Sequence, residues 1–239
     1  MDGIVIKNLS KKYKDVLAVN DLSLEIKRGE LFGLLGVNGA GKTTTVKMLC
    51  GLTAPTSGTA TVLGIGITDP RVKNKLAVSP QETAVAPSLS VWENLLFICG
   101  AYGLNGADSV KKSTEIAEKL GLGEVKNRRA GKLSGGYKRR LSIAMALVSD
   151  PEVLFLDEPT LGLDVIARSE LWDIIAALKG EITVILTTHY LEEAESLCDR
   201  VAIMRGGRLM AVGTTAEICE KADEQDFEKA FIKIVKEGV

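Results

Sequence analysis

Eight residues, Gly36-Val37-Asn38-Gly39-Ala40-Gly41-Lys42-Thr43, constrain this chain more than any other stretch. They fit the pattern Gly-x-x-x-x-Gly-Lys-Thr, and their flanks fit with them: residues 30–35 read as a short buried strand, and residues 44–50 open a helix. A strand, a glycine-rich turn and a helix N-terminus in that order make an anion cradle. The glycines let the backbone wrap closely, so successive N–H groups point at phosphate oxygens. Lys42 adds a positive charge for the β- and γ-phosphates, Thr43 a hydroxyl suited to Mg²⁺, and Thr44 starts the helix within reach of a more proximal phosphate. The plainer alternative is a glycine-rich turn with an exposed lysine. The strand and helix flanks favour the cradle, with a nucleoside triphosphate as the expected ligand.

The 239 residues are enough to bury a full core. With 46% hydrophobic and 26% charged residues the composition is that of a globular protein rather than a disordered one. A formal net charge of −1 leaves no electrostatic footprint for sequence-independent nucleic-acid binding. The N-terminal residues do not resemble a secretory signal, and no run approaches the ~18 apolar residues of a membrane span. If the protein works at a membrane, another chain is expected to cross it. Cys50, Cys99, Cys198 and Cys219 are scattered without metal-ligand spacing, so reduced core thiols in a cytoplasmic protein are expected.

Along the chain, residues 4–6 and 18–26 alternate as strands and imply a small sheet ahead of the glycine-rich turn. Between them Lys11-Lys12-Tyr13-Lys14 reads as a loop, where Tyr13 is either a packing residue or a ring that stacks on a base. Residues 59–63 and 77–81 read as strands, the second ending at Gln81. Apolar residues at helical spacing (Val91, Leu95, Ile98, then Val110, Ile116, Leu120) predict two helices in a middle insert. Leu133-Ser134-Gly135-Gly136-Tyr137 leads into a helix and forms a second anion-ready helix start. The basic residues from 126 to 140 read as a solvated face.

Residues 153–156 form a short apolar run ending in Asp157-Glu158. This reads as a buried parallel strand delivering two carboxylates at its C-terminal end, where open α/β sheets bind ligands. Beside a phosphate cradle, the two acids are best used for Mg²⁺ ligation and water activation. Residues 182–189 repeat the layout and end in His189, the only histidine. A helix from 191 to 198, a strand from 201 to 204 and an amphipathic C-terminal helix through Phe227, Ala230, Phe231, Ile234 and Val235 complete the reading.

With these pieces in this order the chain resembles the ATP-binding cassette (ABC) ATPases, the nucleotide-binding subunits of membrane transporters, over nearly its whole length. The resemblance implies an α/β fold: a P-loop NTPase (RecA-like) core with an N-terminal antiparallel β subdomain and an inserted α-helical subdomain. Residues 1–81 and 147–239 would form the core, and 82–146 the helical insert carrying the signature. It makes Tyr13 the adenine-stacking aromatic, Gly36, Asn38, Gly39, Ala40, Gly41, Lys42, Thr43 and Thr44 the Walker A cradle of ATP, and Gln81 the residue linking Mg²⁺ to the transmembrane partner. Ser134, Gly135 and Gly136 become the signature that meets the ATP of an opposite subunit. Asp164 belongs to the D-loop, Thr43, Gln81 and Asp157 hold Mg²⁺, Glu158 is the catalytic base, and His189 is the switch histidine. Two positions depart from the pattern: Tyr137 stands where glutamine is usual and Gly162 where alanine often is, and neither removes a phosphate-facing backbone group. Residues 158–164 and 187–195 are similar to those of bacterial multidrug, antibiotic and sodium exporter ATPases.

The resemblance implies two cassettes head to tail, as a homodimer or heterodimer, docked on a transmembrane permease at the inner face of the cell membrane, with no nucleic acid. A soluble relative acting in translation or DNA repair is the alternative. The first generally carries two cassettes in one chain and the second a long coiled coil, and this chain has neither.

Overall fold

The computed structural model describes residues 2–237. Period-two alternation dictates the first layer. Strand β1 (Asp2–Tyr13) pairs antiparallel with β2 (Val16–Lys27), whose residues Leu22, Leu24 and Ile26 are buried while Ser23, Glu25 and Lys27 are exposed. The hairpin runs further than expected. Lys11, Lys12 and Tyr13 are strand residues paired with Val19, Leu17 and Val16, because Lys14 takes a left-handed φ of 49° and confines the turn to Lys14-Asp15.

β3 (Leu31–Gly36) is buried at all six positions and leads through the glycine-rich turn into α1 (Lys42–Leu49). β4 (Ser57–Val62) and β5 (Ile65–Gly66) return to the first sheet, giving the order β2-β1-β4-β5. A 3₁₀ turn, Pro70–Lys75, capped by the Asp69 carboxylate, precedes β6 (Leu76–Ser79). Two helices follow, α2 (Val91–Ala101) and α3 (Gly106–Lys119), then α4 (Gly135–Leu147). Ser90 starts α2 with a capping box: its hydroxyl accepts from Glu93 N–H while the Glu93 carboxylate accepts from Ser90 N–H. The apolar stripe of this region is buried at Val91, Leu95, Ile116 and Leu120, but Val110 is half exposed, because α3 turns Ser109 and Ser113 towards Cys99 of α2 instead.

The rest of the chain builds the second sheet: β7 (Val153–Asp157), α5 (Val165–Ala176), β8 (Thr183–Thr188), α6 (Leu191–Leu197), β9 (Arg200–Arg205), β10 (Arg208–Gly213), α7 (Thr215–Ala222) and α8 (Phe227–Glu237). Its order is β10-β9-β3-β8-β7-β6, all parallel neighbours except the antiparallel β9–β10 edge. β7 and β8 are buried from end to end, so their apolar and β-branched residues run on without polar alternation.

Register fixes the site. Leu35 lies opposite Thr188, Asp157 opposite Thr187 and Ser79 opposite Leu156, so β3, β8, β7 and β6 end along one line. The turns after them, which carry Lys42, His189, Glu158 and Gln81, therefore open on the same edge of the sheet, the edge where parallel α/β sheets take their ligands.

Candidate nucleotide site

The glycine-rich turn is pressed from two sides, and that selects its glycines. A Cβ on Gly36 would lie 2.4 Å from the Met204 carbonyl oxygen. One on Gly41, whose φ is 105°, would lie 2.6 Å from the Ala18 carbonyl oxygen. No other residue fits either place without moving backbone. Lys42, only 6% exposed, curls back so that its Nζ donates to the Gly36 carbonyl at 2.6 Å and sits 3.4 Å from Glu158 Oε1.

A cavity of about 650 Å³ opens beside this turn, walled by Val16, Leu17 and Ala18 of β2, residues 38–44, Gln81, Glu158, Leu161, His189 and Gly206. Tyr13 pairs with Val16 at the rim, with Lys11 Nζ 4.9 Å from its ring centroid, and Val16 and Leu17 supply the apolar wall beside it. Thr43 Oγ1 lies 3.3 Å from Asp157 Oδ1. Residues 134–136 and Asp164 stand outside this wall. Ser134 caps α4, accepting from Tyr137 N–H at 3.5 Å, and Asp164 caps α5, accepting from Ala167 N–H. Ser134 and Gly135 face outward and are exposed.

Strand alternation anticipates that Asp157 and Glu158 diverge, and the structure gives a different reason. Asp157 ends β7, where its carboxylate accepts from Thr187 Oγ1 at 2.5 Å. At Glu158 the chain leaves the strand with φ 50°, because its N–H turns to the Thr187 carbonyl (3.1 Å) and hydroxyl (3.0 Å). That turn swings the Glu158 carboxylate into the cavity. Its Oε2 accepts from His189 Nδ1 at 2.7 Å, which leaves Nε2 as the ring nitrogen available to the cavity. Thr187 thus separates the two acids, a role that a polar strand tip does not advertise in sequence.

Behind this front lie groups the sequence did not single out. Glu193 on α6 is fully buried. Its Oε1 accepts from Thr160 Oγ1 at 2.8 Å and from Trp172 Nε1 at 3.2 Å, while Oε2 has no hydrogen-bond partner among the described residues. Burial pushes its carboxyl above the usual range; the hydroxyls of Thr188 and Thr160 and the Trp172 ring offset this in part, and the nearby Glu158 charge adds to it. The basic run is also not uniformly solvated. Arg139 is 5% exposed and bonded to the chain around Gln81. Arg140 pairs with Glu170 of α5 while its guanidinium lies 5.4 Å from the Tyr137 ring. Burial lowers the Arg139 pKa, with Asp157 and Glu193 opposing.

Residues 19–161 match the ABC transporter family. The chain belongs to that family. Among curated ABC relatives it is 40% identical, over 97% of its length, to a probable multidrug ABC transporter ATP-binding protein, YbhF, of Escherichia coli (strain K12), of which it spans 41%. It is 41% identical over 90% of its length to the linearmycin resistance ATP-binding protein LnrL of Bacillus subtilis (strain 168), spanning 70% of that protein. The same identity and coverage hold for the daunorubicin/doxorubicin resistance ATP-binding protein DrrA of Streptomyces peucetius, spanning 66% of it. The chain therefore spans between about two fifths and seven tenths of these relatives. Among solved structures, an ATP-binding subunit of an ABC transporter superposes with a TM-score of 0.85 at 28% identity, covering 98% of this chain and 99% of that one. A dimeric ATP-binding cassette in a post-hydrolysis state with ADP and Pi gives 0.79 at 25% identity, covering 88% and 98%. The ABC ATPase fold anticipated from the sequence is the fold observed.

Proposed function

We infer that this chain is the ATP-binding and ATP-hydrolysing subunit of an ABC exporter, driving substrate through a separate membrane-spanning chain. The observation that carries the reading is the meeting of Lys42, Glu158 and His189 on one cavity wall, with a glycine cradle on one side and a metal-suited oxygen pair on the other. Relatives named for multidrug transport and for linearmycin and daunorubicin/doxorubicin resistance support an outward direction of transport. Among the described residues no helix is long and apolar enough to cross a membrane, in keeping with a permease supplied by another chain segment.

The residues suit the chemistry. Backbone N–H groups of residues 38–44 and the start of α1 receive phosphate oxygens. Lys42 faces both the cavity and Glu158, so a triphosphate in the cavity competes with Glu158 for it and frees that carboxylate to accept a proton from water. His189 orients Glu158 through the 2.7 Å bond and offers Nε2 to the γ-phosphate side. Thr43 and Asp157, 3.3 Å apart, with Gln81 on the same wall, form a hard-oxygen donor set that fits Mg²⁺. When bound, the ion would neutralise charge on the β- and γ-phosphates. The base of ATP would meet Tyr13 and the Val16-Leu17 wall. Residues 134–136 would face the nucleotide of a second, head-to-tail subunit, and the assembly would sit on the cytoplasmic face of a membrane.

The test pairs chemistry with assembly: the purified chain should hydrolyse ATP, Lys42→Ala should abolish this, and the tagged chain should co-purify with an integral membrane protein. A folded Lys42→Ala variant with unchanged ATPase activity would sink the site assignment.

A further inference from the structure

Residues 80–85 leave β6 and carry Gln81 to the cavity without regular structure. Among the described residues their backbone makes two hydrogen bonds, and both come from one side chain. Arg139 donates one guanidinium N–H to the Pro80 carbonyl and another to the Gln81 carbonyl, each at 2.8 Å. Arg139 is the fifth residue of α4, the helix that residues 134–136 begin, and it is 5% exposed. One turn further, Ser142 Oγ bonds Ser79 Oγ at 2.9 Å, so α4 also grips the end of β6 from which the segment departs.

A buried guanidinium is a costly way to fill space, since the charge forgoes hydration and has no ion-pair partner among the described residues; Asp157 and Glu193 act on it only through space. What it supplies is geometry. Two carbonyls one residue apart call for two N–H groups held in a plane, which the guanidinium fork has and an ammonium lacks. Gln81's own side chain is exposed and makes no hydrogen bond among the described residues, so Arg139 is the only polar restraint on where that side chain starts.

We propose that Arg139 is a positioning residue that couples the residue 134–136 end of α4 to Gln81, so that displacement of that helix end moves the Gln81 oxygen relative to Thr43 and Asp157. The proposal rests on the reading of Gln81 as a metal ligand given above. It makes the helix start that faces a second subunit and the residue that faces the metal two ends of one lever, about an α-helical turn long.

The experiment measures Mn²⁺ affinity, by its paramagnetic resonance signal, in chains loaded with a slowly hydrolysed ATP analogue, alongside nucleotide affinity without metal. Four variants enter: Gln81→Ala, Arg139→Met, Arg139→Lys and Gln81→Ala/Arg139→Met. Arg139→Met, which keeps the stem but loses the fork, should leave metal-free nucleotide affinity within about twofold and lower Mn²⁺ affinity about tenfold, the usual cost of losing a residue that orients a metal ligand. Arg139→Lys should fail to restore it, and it carries the same test should Arg139→Met not fold. In the double variant the Arg139 change should add nothing to the loss from Gln81→Ala, because it acts through that residue. Wild-type Mn²⁺ affinity in both Arg139 variants, or additive losses in the double variant, overturns the coupling. If Gln81→Ala itself leaves Mn²⁺ affinity unchanged, the assignment of Gln81 as ligand falls, and the coupling with it.

Discussion

Glu158 sits in the left-handed region at φ 50°, a conformation that costs a non-glycine residue of order 1–3 kcal/mol and persists only where neighbours enforce it. Here Thr187 enforces it through two hydrogen bonds, and the return is a carboxylate 2.7 Å from His189 and 3.4 Å from Lys42. Glu158→Gln keeps the shape and the His189 contact but removes the basic oxygen. It should retain ATP binding while hydrolysis falls by a factor on the order of 10²–10⁴, measured by phosphate release against nucleotide affinity. Unchanged turnover would move the base to another group. Tyr13→Ala should weaken nucleotide affinity by about 1–3 kcal/mol if its ring stacks on the base, and should leave it untouched if the ring only packs at the rim. At this scale the polar tips of the strands were legible because a lone histidine and two acids stand out beside a phosphate cradle. Thr187 and Arg139 were not, since a threonine on a β-branched strand and an arginine in a basic run look the same whether they are buried and bonded or solvated.

Among the elements, α6 shows how a helix is held at a chemical centre. His189 precedes it, and Glu193 within it reaches Thr160 in the turn after β7 and Trp172 on α5. Arg168 of α5 pairs with Glu192 and lies over the Trp172 and Tyr190 rings. Burial raises the Glu193 pKa, and the sign of its effect on stability follows. The folded form holds its proton more tightly than the unfolded chain, so stability is greatest below the ordinary value of 4.5 and is lost as pH rises through the raised folded value. Glu193→Gln should therefore flatten the decline of melting temperature as pH rises above the ordinary carboxyl value of 4.5, while retaining the Thr160 and Trp172 bonds. A decline as steep as in the unmutated chain would mean that another group carries it. Ser90→Ala, which removes the α2 capping box, should cost about 1 kcal/mol in denaturant unfolding and leave ATPase activity in place. The parallel strands were legible in sequence because burial on both faces leaves short runs of apolar and β-branched residues without polar alternation. β10 and α7 were not, because β10 is an edge strand of mixed exposure and α7 is a short helix with only Ile218 and Ala222 buried.

At the scale of the whole molecule, one chain forms the cradle, the acids and His189 but leaves Ser134 and Gly135 at the start of α4 exposed and away from its own cavity. Val165 and Ile166, next to Asp164, are 71% and 73% exposed, a large apolar pair left facing solvent at the start of α5. A second copy turned head to tail would give the helix start a phosphate to meet and would cover that pair. The nucleotide would then be part of the contact, so association should require ATP and should loosen once the γ-phosphate is gone. Glu158→Gln, by retaining ATP, should shift the chain from monomer to dimer in light scattering when Mg²⁺ and ATP are added, and ADP should not replace ATP. Adding Ser134→Arg to that variant places a bulky side chain at the helix start without touching the chain's own cradle. Its ATP affinity as a monomer should stay within about twofold while the dimer is lost, since the chain's own cradle is untouched and the lost α4 cap to Tyr137 N–H costs only about 1 kcal/mol of stability. If the double variant dimerises as well as Glu158→Gln alone, residues 134–136 do not face the partner's nucleotide. If Glu158→Gln with bound ATP stays monomeric at every concentration, the head-to-tail arrangement of this chain with its own copy is excluded.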